Sequence, residues 1–157
     1  MVKCRTGLCG NMRPSPNYLI RGELLELVDS PLDGFEVMYD DRIWPPNKFI
    51  QGFFTGPQGS PYANGLFAFT YTFPEDFPYS RPVLKILTRI VHPAVVKGKV
   101  CLRGMEEGST LREVLLGLQE ELVSPVFEGC ANMRVFDHYQ AGKFVQKAQR
   151  ATQRFAR

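Results

Sequence analysis

The sequence predicts an α+β domain in which an N-terminal helix, a four-stranded antiparallel meander sheet and C-terminal helices follow one another along the chain. Three observations lead there. Apolar residues recur at helical spacing after Ser15, four consecutive runs rich in aromatic and β-branched residues are punctuated by Pro, Gly and Asn, and helical spacing resumes after Thr110. A length of 157 residues suits one domain that buries about two thirds of its unfolded surface.

Ser15 is an N-cap candidate, Pro16 suits a first helical turn, and Ile20, Leu24, Leu27 and Val28 give the first helix an apolar stripe. After the turn SPLDG, the runs FEVMYDD, KFIQGFFTG, LFAFTYTF and PVLKILTRI read as sequential strands, with Trp44, Phe53, Phe69 and Phe73 as expected core aromatics. Thr110 and Glu113 are spaced as a capping box at the head of LREVLLGLQEELV, whose apolar face is Leu111, Val114, Leu115, Leu118 and Leu122. Ser124-Pro125 closes that helix. A shorter helix is expected around 131–139. A last one, around 141–155, has Phe144, Ala148, Ala151 and Phe155 on one side and a solvated face of Lys143, Lys147, Arg150 and Arg154 on the other. Residues 1–15 are expected to form a flexible tail and 16–157 the folded core.

The net charge is +3 and the basic residues are spread along the chain, which argues against a nucleic-acid groove. The opening MVKCRTGLCGNMRPSPN lacks the apolar core of a signal peptide, and no window approaches the ~20 apolar residues of a membrane span, so a cytoplasmic or nuclear location is expected. Four scattered cysteines, Cys4, Cys9, Cys101 and Cys130, do not make a disulfide framework and suit a reducing compartment. Cys4 and Cys9 amount at most to half a zinc site. No metal cluster, Gly-rich phosphate loop or nucleotide fingerprint is present, so no cofactor is expected.

The stretch GPQGSPYANGLFAFTYTFPEDFPYSRPVLKILTRIVHP, followed by VCL, resembles the pattern GPxxSPYxGGxFxxxxxFPxxYPxxPPxxxFxTxIxHP of the ubiquitin-conjugating enzymes. Agreement over about forty residues in the right order, preceded by a helix and two strands, makes the match specific. From about Tyr18 to Phe155 the chain is therefore identified as similar to that family. The resemblance implies the family's α+β fold, no cofactor, and Cys101 as the nucleophile that carries ubiquitin or a ubiquitin-like modifier as a thioester. The modifier would come from an activating enzyme and pass to a substrate lysine or a ligase. Lys97, Lys99 and Arg103 lie within four residues of Cys101, and nearby cations favour a thiolate, although such charges also decorate ordinary loops. A small buried structural cysteine is the alternative.

His92-Pro93 matches a pair read in the family as shaping the active-site loop, so His92 is expected to be structural rather than a general base, with Pro93 fixing the turn. Ala94 replaces the family's asparagine, a residue that orders the loop and stabilises the oxyanion during amine attack; alanine has no side-chain donor. The interval from His-Pro to Cys is one residue shorter than the common spacing. The segment LRGMEEGST is about four residues shorter than the family's ligase-binding loop. Tyr79 keeps the aromatic of the other ligase-contact turn. Aligning GCAN through Asn132 puts Glu128 beside the family's acidic gate position, where it either orients an incoming lysine or is a plain surface carboxylate. The residues thus support an active conjugating enzyme, with a catalytically impaired scaffold that binds ubiquitin or partner enzymes as the alternative. A cysteine hydrolase would have to draw its base from His92 or His138.

Overall fold

A computed structural model describes residues 14–39, 49–103, 105–127 and 132–157. Helix α1, Pro16–Asp29, starts where expected: the Ser15 side chain accepts the Tyr18 N–H at 3.3 Å, satisfying one of the free amides of the first turn. Ile20, Leu24 and Leu27 are buried, but Val28 is 57% exposed, because the buried stripe is narrow and Val28 turns past its edge.

Strands β1 (Phe35–Met38), β2 (Phe49–Thr55), β3 (Leu66–Thr72) and β4 (Val83–Ile86) form the expected antiparallel meander. The sheet does not stop at four strands. A small hairpin, β5 (Val95–Val96) and β6 (Lys99–Val100), continues it in the order β1-β2-β3-β4-β6-β5. Its two central residues, Lys97 at φ +49° and Gly98 at φ +82°, both have the positive φ that a tight two-residue turn requires. Gly98 also lets its strand approach β4: a Cβ there would sit 2.9 Å from the Ile86 carbonyl.

Register decides which aromatics are core. Along β2 burial alternates strictly, so Ile50, Gly52 and Phe54 face inward while Phe49 and Phe53 are each 37% exposed. Phe53 is therefore not a core residue. Phe54 takes its place, stacked on Phe67 with ring centroids 5.0 Å apart. Phe69 and Phe73 are buried as expected, and Trp44 lies outside the described residues. Gly52 has to be glycine, since a Cβ would stand 2.6 Å from the Phe69 ring.

Helix α2, Leu111–Val123, has the expected capping box between Thr110 and Glu113 and buries all five predicted residues. It is tied to α1 twice. The Glu23 carboxylate accepts the Leu111 N–H at 2.7 Å, and the Arg112 guanidinium reaches the Glu26 carboxylate at 3.0 Å and the Ser30 carbonyl. Burial holds the Glu23 carboxyl up at about 7, against the Leu111 N–H, which favours its ionised form. Helix α3 spans Met133–Gln140 and α4 spans Phe144–Phe155. In α4, Phe144, Ala148 and Thr152 are buried, whereas Phe155 is 38% exposed and Ala151 half-buried. The expected apolar stripe is displaced because the helix docks its C-terminal end on β3, with Leu66 N–H donating to the Ala156 carbonyl at 2.8 Å and Thr152 packed against Gly65. Lys143, Lys147, Arg150 and Arg154 form the solvated face. Among the described residues no helix is long and apolar enough to cross a membrane.

The register yields a paired test by urea unfolding. Phe69→Ala should cost about 3 to 5 kcal/mol, and Phe53→Ala no more than about 1 kcal/mol. Equal losses would mean that β2 and β3 are not paired as described.

Candidate functional site

The site is assembled on the hairpin and the segment leading into it. His92 is fully buried, and both ring nitrogens are engaged: Nδ1 accepts the Ala94 N–H at 2.9 Å, and Nε2 lies 3.0 Å from the Glu121 carbonyl on α2. An amide can only donate, so Nδ1 must be the unprotonated nitrogen and Nε2 carries the proton given to Glu121. Desolvation lowers the His92 pKa from 6.5 to about 4, the Glu121 hydrogen bond opposing it only in part. The ring is therefore neutral, with both nitrogens engaged in hydrogen bonds. His138 is in the last turn of α3.

Behind the ring stands Tyr62, a residue the sequence reading did not single out. It is completely buried, its centroid 5.8 Å from that of His92, and its hydroxyl donates to the Val91 carbonyl at 2.7 Å. The local sequence Ser60-Pro61-Tyr62 fixes it: Ser60 Oγ donates to the Pro57 carbonyl at 2.6 Å and accepts the Tyr62 N–H at 3.2 Å. The small-residue turn ahead of a tyrosine was the available signal.

Pro93 and Ala94 are buried and continue the loop into β5. The Ala94 carbonyl accepts the Cys101 N–H at 2.8 Å, so residue 94 directly positions the cysteine backbone across the hairpin. Cys101 itself is a free, exposed thiol immediately after β6. Asn132 closes the arrangement from the other side. Its N–H donates to the Pro93 carbonyl at 3.0 Å, its side-chain amide donates to the Val95 carbonyl at 2.7 Å, and its Oδ1 caps α3 by accepting the Val135 N–H at 3.3 Å. Four of the sequence-predicted residues, His92, Pro93, Ala94 and Asn132, thus converge on the cysteine's loop. Glu128, Cys4, Cys9 and Cys130 lie outside the described residues.

Tyr79 is separate from this cluster. It is 56% exposed on the turn before β4, with its N–H bonded to the Asp76 carbonyl at 2.9 Å. That turn adjoins the segment after the cysteine, since a Cβ on Gly108 would lie 3.9 Å from the Pro78 carbonyl. The segment itself is folded tightly, Ser109 Oγ accepting the Glu106 N–H at 3.0 Å and Ser109 N–H returning to the Glu106 carbonyl at 3.2 Å. A cavity of about 640 Å³ runs from Arg103 along the far half of α2 past Gly117, Glu120, Glu121, Ser124 and Val126. Among the described residues no three of His, Cys, Asp and Glu converge as metal ligands.

Comparison with known proteins points to one family. The family model described as "Ubiquitin-conjugating enzyme" matches residues 19–153. The chain is 43% identical over 82 residues to ubiquitin-conjugating enzyme E2 21 of Caenorhabditis elegans, an alignment covering 48% of this chain and 38% of that protein. It is 32% identical over 120 residues to ubiquitin-conjugating enzyme E2 13 of Saccharomyces cerevisiae, covering 73% and 75%. It is 29% identical over 119 residues to ubiquitin-conjugating enzyme E2 N of Drosophila melanogaster, covering 73% and 76%. The chain therefore spans well under half the length of the worm relative and about three quarters of the other two.

The buried imidazole generates a pH prediction. In the unfolded chain His92 takes up a proton near 6.5, but in the folded chain only near 4. Because the folded pKa is the depressed one, its stabilising contribution is full above pH 6.5 and is lost as the pH falls toward 4. The loss is on the order of 3 kcal/mol across that window. NMR titration of the His92 ring should give a midpoint near 4. A midpoint near 6.5 would mean that the ring is solvated and the loop is not locked to α2.

Proposed function

The chain belongs to the ubiquitin-conjugating enzyme family, and from that membership we propose that it carries ubiquitin or a ubiquitin-like modifier as a thioester on Cys101. One observation carries the reading: Cys101 is exposed, yet its backbone is held by the Ala94 carbonyl in a loop fixed to α2 through His92. A nucleophile needs that combination of access and fixed position.

In the proposed reaction the Cys101 thiolate attacks the acyl carbon of the modifier's thioester with its activating enzyme, and the activating enzyme's thiolate leaves. In the second step a lysine amine or a ligase thiolate attacks the same carbonyl carbon, the bond to Cys101 sulfur breaks, and the amine sheds its proton. The Arg103 cavity along α2 gives the modifier's extended C-terminal segment room to approach the thiol, with Gly117 contributing no side chain to obstruct it. Tyr79 and the neighbouring Gly108 turn form the exposed surface we assign to a ligase. The four cysteines suit the cytosol or nucleus.

Two predictions follow from the nucleophile and its neighbour. With activating enzyme, ATP and each candidate modifier, the chain should form a reductant-sensitive adduct, and Cys101→Ser should give a reductant-resistant oxyester or none. An unchanged thiol-sensitive adduct on Cys101→Ser would move the nucleophile to another cysteine. Ala94 supplies no side-chain donor to a developing oxyanion, while its N–H is taken by His92. The charged chain should therefore discharge to a small thiol faster than to free lysine. Ala94→Asn should speed discharge to lysine by up to about 10-fold and to thiol by less, because residue 94 already touches the Cys101 backbone. Equal acceleration of both routes would show that the amide does not act on the reacting carbonyl.

A further inference from the structure

The end of β4, the β5–β6 hairpin and the start of α3 enclose a further cavity of about 560 Å³, and its lining is basic. Lys85 comes from β4, Arg89 from the segment after it, Lys97 from the hairpin turn and Arg134 from the first turn of α3. All four are exposed, and the described lining contains no carboxylate. The Arg112–Glu26 ion pair lies elsewhere. Leu87, 61% exposed, and Ile90 give the groove an apolar floor.

We propose that this groove docks an acidic peptide segment carrying the lysine to be modified, an inference that rests on the acyl-transfer function above. One of the four cations, Lys85, is held at a cost within the sheet. Lys85 and Lys99 are direct register partners across β4 and β6, and like charges opposite one another in a sheet destabilise it. An anionic ligand offsets that repulsion. Arg89 is held with its guanidinium 5.0 Å from the Phe155 ring centroid, a contact that positions the charge without neutralising it. An apolar floor with a cationic rim fits a peptide of mixed apolar and acidic side chains. Among the described residues the lining has no aromatic on which nucleic-acid bases could stack.

Proximity connects the groove to the chemistry. Val95 lines it and pairs with Val100, the residue before Cys101. At ~3.3 Å per residue of extended chain, carboxylates a few positions from a lysine can occupy the groove while that lysine reaches the thioester. The same cations repel a lysine ammonium that arrives without them. Acidic flanks are thus selected and basic flanks rejected.

The test measures binding of fluorescein-labelled peptides of about ten residues to the full chain by anisotropy, at low and at physiological salt. Each peptide has a single lysine flanked either by glutamates or by glutamines. The glutamate peptide should bind about 10-fold tighter, a difference that shrinks with salt. Lys85→Glu with Arg134→Glu should abolish that preference and favour a peptide flanked by lysines instead. Lys147→Glu with Arg150→Glu, the same charge change on the solvated face of α4, should leave the ratio as it was. Equal binding of the two peptides, an equal loss in the α4 variant, or tighter binding of a single-stranded oligonucleotide of the same charge would overturn the proposal. Discharge of the charged chain to the same peptides should follow the binding order. Failure to form a thioester on Cys101 would overturn the acyl-transfer reading and the role given to the docked lysine. It is distinguished from failure of the groove because the binding ratio needs no thioester.

Discussion

The position of the Cys101 backbone depends on one buried, neutral imidazole. His92 links two pieces of backbone far apart in sequence, the Ala94 amide in the loop and the Glu121 carbonyl on α2, and each nitrogen can serve only one of them. A buried ring with either nitrogen unpaired would bear the full cost of a desolvated polar group, so the pairing is strongly specified. From there the constraint passes to the thiol: Ala94, placed by His92, accepts the Cys101 amide, and Asn132 holds the Pro93 and Val95 carbonyls. Replacing the imidazole by a side chain of the same size but a different donor pattern breaks that chain of contacts at its first link.

The rest of the fold supplies what the imidazole needs. Helix α2 must keep its position relative to the sheet for the Glu121 carbonyl to meet the ring, and α1 braces it through Glu23 and Arg112 at the opposite, N-terminal end. Buried aromatics of β2 and β3 form the surface below, with Tyr62 filling the space between sheet and ring. The thiol therefore stands on a rigid base at the end of a two-residue hairpin, exposed while its backbone is fixed. An exposed group on a fixed backbone is what positioning by a rigid scaffold supplies.

Along the chain, Cys101 separates two grooves of different character. Arg103 opens one that runs along α2 beside Glu120 and Glu121, and the hairpin turn borders the other, where four cations meet. Under the acyl-transfer function proposed above, the unlike character of the two grooves keeps the incoming modifier and the accepting peptide from competing for one surface.

Much of this was legible in the sequence. Capping residues and 3.6-residue periodicity located α1 and α2, and all five predicted core residues of α2 are buried because a helix turns the same face inward regardless of its neighbours. The family resemblance pointed to His92, Pro93, Ala94 and Cys101. Strand faces were harder: Phe53 and Phe54 are adjacent aromatics, and only the register with β3 decides which faces the core, since a shift of one residue inverts the choice. The β5–β6 hairpin escaped notice because two-residue strands have no period to detect. The tautomer of His92 could not be read either, because its partner Glu121 is 29 positions away and offers a backbone carbonyl, which has no sequence signature. Lys85, Arg89, Lys97 and Arg134 are scattered by sequence and indistinguishable from solvated charges. What the sequence determined was the periodic and motif-bearing chemistry of local stretches, whereas the charge of a groove and the engagement of a buried ring are set by distances through space between remote segments, which exist only once the chain has folded.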